Sequence, residues 1–81
     1  MNKDEILLKI QDIFRDVFDD DTLILSEETS QNDIDEWDSL EQINIISTIE
    51  DEFDVEFEMD EITEFKNIGN LITAVHTKLT Q

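Results

Sequence analysis

Apolar residues fall into three blocks with helical spacing. In the first, Ile6, Leu7, Ile10, Ile13, Phe14 and Val17 recur every three or four positions, which predicts an amphipathic helix over residues 3 to 18. The acidic run Asp19, Asp20, Asp21 follows. Carboxylates sit poorly at the negative end of a helix dipole, so the run fits the start of a loop. In the second block, Ile45, Ile46, Ile49 and Phe53 share one arc of roughly a third of the circumference at about 100° per residue. A helix is expected there, starting near Asp38 or Ser39 and running to Phe53. In the third, Ile68, Leu71, Ile72, Val75 and Leu79 form the inward stripe of a last helix, with Asn67 as its N-cap.

The intervening segments are less regular. Residues 19 to 37 make a long connection for so small a chain, to be pinned by its own apolar residues, Leu23, Ile24, Leu25, Ile34 and Trp37. "DVEFEMD" alternates like a strand, yet no other segment could pair with it, and a lone strand is not stable. It reads as a connection leading into a short helical turn over residues 60 to 65. Proline is absent and Gly69 is the one glycine, so hairpin signals are scarce. The expected architecture is all-α, a small bundle of three longer helices plus one short helix, forming a single domain over residues 1 to 81.

Composition narrows the function. With 81 residues and no cysteine, the chain must fold on one small apolar core, supplied by its 38% of apolar residues. The start, MNKDEILLKI, carries acids where a signal peptide would be basic, and no apolar run could span a bilayer. A soluble, cytoplasmic monomer is expected. Twenty-three acids against five bases give a formal charge of −18. That field disfavours nucleic acid and anionic membrane as partners and draws basic protein surfaces. Most of the acids are a solvated surface. "DDDTLILSEE" lacks the central glycine and ligand alternation of a calcium loop, so no specific metal site is expected.

The second helix has a second face. Leu40, Ile43, Asn44, Ser47, Glu50 and Asp51 lie away from the core arc, and Ser39 stands at its upper end. A purely structural helix has little reason to keep Leu40 and Ile43 outside. Two capping registers compete: Ser39 as N-cap would have its oxygen occupied near Gln42, whereas Asp38 as N-cap, with Glu41 three residues on, leaves the Ser39 hydroxyl free. The Asp38 register is favoured. A catalytic role for Ser39 is not, because an activated serine needs a base and a cleft. The sole histidine, His76, sits at the edge of the last helix's stripe, and no G-x-S-x-G turn is present. Ser39 is better read as a substrate than as a reagent.

"DSLEQINIISTIEDEFDVEF" resembles the modification-site helix of acyl carrier proteins, whose pattern is D-S-L followed by an apolar helix ending in E-x-E-F or E-D-E-F. The likeness extends to the leading helix, the long loop, the short third helix and the "NIGNLI" opening of the last. It implies that a phosphopantetheinyl transferase attaches 4′-phosphopantetheine from coenzyme A to Ser39 as a phosphodiester, flanked by Asp38 and Leu40. The arm's thiol would carry acyl groups as thioesters, as in fatty acid or polyketide biosynthesis, and the chain itself would catalyse nothing. A chain without cysteine can handle thioesters when its sulfur arrives on a prosthetic group. The partner surface it implies comprises Asp35, Glu36, Asp38 and Glu41 as contacts for basic enzymes, Leu40 and Ile43 as apolar contacts, and Asn44, Ser47, Glu50 and Asp51 further down the helix. Family members also hide acyl chains between helices, here beside Ile46, Ile49 and Phe53, which ordinary core packing explains equally.

Some residues depart from the family pattern. Glu36 and Trp37 precede D-S-L where small residues are usual; Asn44 replaces an acid, and Ser47 a larger apolar residue. Trp37 could cap the core beneath the loop or meet a partner, and packing is favoured, since tryptophan buries a large area. The departures suggest a stand-alone carrier for a specialised pathway, such as polyketide, aminoacyl or glycan-modifying chemistry. The alternatives are a peptidyl or aminoacyl carrier, and a small acidic protein-binding domain with no prosthetic group.

Overall fold

In the computed structural model, residues 2–80 are described. Four α-helices follow one another: α1 Lys3–Phe18, α2 Ser39–Phe53, α3 Met59–Thr63 and α4 Ile68–Leu79, with a 3-10 turn at Gln31–Asp33. Each longer helix begins where a side chain can take up an orphan backbone N–H. Asn2 and Glu5 form a reciprocal capping box on α1, and Asn67 accepts the Asn70 N–H on α4. α1 and α2 stop at Asp19 and Asp54, both in left-handed conformations with φ of 50° and 55°. Aspartate tolerates this region better than most residues, which explains why acids close two helices whose dipoles disfavour them.

The three longer helices enclose one core. Ile6, Ile10 and Phe14 of α1 meet Ile45, Ile46, Ile49 and Phe53 of α2, with Ile68, Leu71, Ile72 and Val75 of α4, all buried. The connections add Leu25 and Trp37 from the long loop, and Phe57 and Phe65 from either side of α3. Phe57 and Phe65 stack edge to face with ring centres 5.3 Å apart. α3 begins and ends earlier than the expected turn at 60–65, so Phe65 packs from a loop. Residues 54–58 form no strand, as the lack of a pairing partner requires.

Two expectations about the core fail. Ile24 is 78% exposed, because the loop is pinned by Leu25 with half-buried Leu23 and Ile34, and alternation along an extended segment turns Ile24 outward. Leu79, in the last turn of α4, is exposed rather than part of the buried stripe.

The long loop is tied down part-way along. Ser30 and Asn67 form an isolated antiparallel bridge; the Ile68 N–H donates to the Thr29 carbonyl and the Gly69 N–H to the Glu27 carbonyl, both at 2.8 Å. Loop carbonyls thus satisfy donors in the first turn of α4 that would otherwise lack partners. Gly69 suits this close approach: a Cβ there would lie 3.0 Å from the Glu27 oxygen, a tight contact that the loop would have to yield to.

Candidate functional site

The second helix starts in the register that frees the serine. Asp38 is the N-cap, its Oδ1 accepting the Glu41 N–H at 2.9 Å, while its carbonyl accepts the Gln42 N–H at 2.9 Å. Only half of a capping box forms, since Asp38 accepts from Glu41 without the reciprocal bond. Ser39 is the first residue of α2, exposed, with its hydroxyl outside the capping bond. Leu40 and Ile43 are 74% and 63% exposed, so the apolar face set aside by the periodicity stands in solvent.

Around them lie exposed Asp35, Glu36, Asp38, Asn44, Ser47 and Asp51, together with half-buried Glu41 and Glu50. The structure brings these onto the approach to α2 and along its outer side. Glu50 differs from the rest. Its Oε2 accepts the Phe57 N–H at 2.8 Å, so this carboxylate holds the α2–α3 connection as well as facing outward. At the far end of the helix, Glu50, Asp51, Asp54 and Glu56 share an open acidic groove with Val55. Ile46, Ile49 and Phe53 are closed into the core.

Trp37 packs, as its size demands. It is 3% exposed and lies edge to face on Phe14 of α1, with ring centres 5.0 Å apart. The sequence reading missed Gln42, which is 8% exposed and accepts the Trp37 indole N–H at 2.6 Å. The signal was available: residues 37 and 42 hold the positions, one before the cap and four inside the helix, where side chains commonly meet across a helix start. His76 is half-buried on α4, and its carbonyl accepts the Thr80 N–H and hydroxyl.

Residues 8–75 match the family model described as "Phosphopantetheine attachment site". The chain is 34% identical over 76 residues to an acyl carrier protein of Lactobacillus acidophilus, covering 93% of this chain and 94% of that one. The chain belongs to the acyl carrier protein family. An acyl carrier protein of Exiguobacterium is 28% identical over 79 residues, covering 98% of this chain and all of that one. The solution structure of a holo acyl carrier protein from Geobacter metallireducens superposes with a TM-score of 0.86 at 44% identity, covering 91% of this chain and 85% of that one. The chain is therefore a carrier rather than a catalyst, with 4′-phosphopantetheine as its prosthetic group. Its family implies interaction with a phosphopantetheinyl transferase and acyl-handling enzymes. Among the described residues, no helix is long and apolar enough to cross a membrane.

Proposed function

We propose that Ser39 is the attachment point of the prosthetic group, and that the protein presents acyl groups to partner enzymes in a specialised cytoplasmic pathway, acting as a monomer. The carrying observation is an exposed hydroxyl in the first turn of α2, left out of the cap because Asp38 takes that role. When bound, the arm supplies a terminal thiol that holds an acyl group as a thioester. The backbone fits a phosphodiester there: the helix start offers the positive end of the α2 dipole, worth about 0.3–1 kcal/mol to an exposed anion. Asp35, Glu36 and Asp38 oppose that attraction, but solvent and salt screen them, and the covalent bond holds the group in place.

The same acids serve as contacts for arginines and lysines of the transferase and the acyl-handling enzymes, raising encounter rates and setting register. Leu40 and Ile43 supply the apolar contact between them. The specialised pathway is inferred from Trp37, Asn44 and Ser47, which depart from the common family pattern on or beside this surface.

Intact-mass analysis tests the assignment. Incubation with coenzyme A and a phosphopantetheinyl transferase gives one adduct, and Ser39→Ala gives none. An adduct located on Ser26, Ser30 or Ser47 overturns it. The mass of the species loaded in the native cell separates acyl from aminoacyl cargo.

A further inference from the structure

We propose that Trp37 and Gln42 form a hydrogen-bonded staple that positions Ser39 for modification, with Gln42 as the positioning residue. The inference rests on the reading of Ser39 as the attachment point. An exposed residue at the first position of a helix has no packing of its own to fix it, so its placement depends on how the preceding chain enters. Apolar side chains on either side of a helix cap commonly set that approach. Here the pair is polar and buried, and it closes a ring around Asp38 and Ser39.

Four bonds hold the junction, the first of which closes the ring. The Trp37 Nε1–H donates to Gln42 Oε1 at 2.6 Å. The Trp37 backbone N–H donates to the Ile34 carbonyl at 3.1 Å, and the Gln42 N–H to the Asp38 carbonyl at 2.9 Å. Asp38 Oδ1 accepts the Glu41 N–H at 2.9 Å. The indole also lies against Phe14, so the junction is referenced to α1 and not to α2 alone.

A buried glutamine is an unusual choice if packing alone is needed, since an apolar side chain fills the space without a desolvation cost. An indole has a single N–H donor, so one acceptor inside α2 fixes the rotation of the ring and with it the path of residue 37 into the cap. Remove the acceptor and the indole N–H must turn toward water, loosening Asp38, the one residue between Trp37 and Ser39. A transferase then binds only the fraction in which the junction is formed, and its apparent affinity falls by that fraction.

The test uses Gln42→Met, which keeps the length and removes the acceptor, and Gln42→Glu, which keeps an oxygen in place. Transfer from coenzyme A by a phosphopantetheinyl transferase is measured against carrier concentration, with circular dichroism confirming that each variant is folded at the assay temperature. Gln42→Met is expected to raise KM about threefold or more with kcat within about twofold, while Gln42→Glu stays close to the parent. Equal KM for Gln42→Met and parent overturns the staple, and so does a Gln42→Glu variant as impaired as Gln42→Met. Where Gln42→Met does not fold, Trp37→Phe is measured instead, with the same KM rise expected and an unchanged KM overturning the proposal. Ser39→Ala separates the two readings: a parent chain modified elsewhere defeats the attachment site, whereas a parent modified at Ser39 with an indifferent Gln42→Met defeats only the staple.

Discussion

Replacing Gly69 by alanine sets two effects of known size against each other. Alanine is better than glycine in a helix interior by about 0.8–1 kcal/mol, and by less in a first turn. The backbone of Gly69 is not in the positive-φ region, so alanine meets no conformational barrier. Against this stands the loop. The new Cβ would lie 3.0 Å from the Glu27 carbonyl oxygen and 3.2 Å from Asn67 Oδ1, and neither is the loose end of a flexible side chain. The Glu27 carbonyl already accepts the Gly69 N–H at 2.8 Å, and Asn67 Oδ1 accepts the Asn70 N–H at 2.9 Å. Moving them weakens a hydrogen bond worth about 0.5–1.5 kcal/mol and a cap worth about 0.5–2 kcal/mol. Partial loss of both exceeds the helix gain, and the expected net change is about 1 kcal/mol of destabilisation. In a domain of this size that lowers Tm by about 4–8 °C. Urea and thermal unfolding followed at the helical circular dichroism band, with Asn67→Ala as a reference for the cap, measure it. A Gly69→Ala chain more stable than the parent refutes the tie between loop and α4.

Three further outcomes are expected. Ile49 is fully buried, so Ile49→Ala costs about 2–5 kcal/mol and is read from the midpoint of urea unfolding; a loss under about 1 kcal/mol would mean the α2 core face is loosely packed. Against the formal charge of −18, the described residues hold two ion pairs, Lys9–Glu52 and Lys78–Glu61, so magnesium or moderate salt raises Tm, and a melting curve indifferent to both contradicts the view that self-repulsion limits stability. The Glu61 carboxyl is held below the usual carboxylate range, first by the Glu58 N–H and then by Lys78. A lowered folded pKa stabilises above the unfolded value and is lost as pH falls through the folded one. The stability gap between parent and Glu61→Gln is therefore present at neutral pH and closes in acid, and parallel denaturation curves at the two pH values check this.

The sequence was most informative where burial and capping act locally. The apolar stripes of α1, α2 and α4 are written at helical spacing, and Asp38 and Asn67 mark their own starts because a short acceptor side chain competes well for the first free N–H groups. The exposed Leu40 and Ile43 followed from the same geometry. The connections were harder to read, since a loop has no period. Ile24 was placed inside, and the 3-10 turn at Gln31–Asp33 was not anticipated. Neither was the tie from Glu27 and Thr29 to α4, which depends on backbone groups distant in sequence. Gln42 was harder to read because glutamine is usually solvated, although its spacing from Trp37 across the cap is the local signal of their contact. Glu50 looked like surface charge, and its bond to the Phe57 N–H arises from how the chain turns after Asp54.

The short helix α3 contributes no fully buried side chain; Ile62 rests half-covered against the core. What fastens it is polar: the Glu61 carboxylate accepting the Glu58 N–H, and Lys78 reaching across from α4 to the same carboxylate. Such fastenings exchange readily with water, while the aromatic pair on either side, Phe57 and Phe65, is buried in the core. With so little of α3 buried, its amides are expected to trade their hydrogens with solvent before those of the three long helices do.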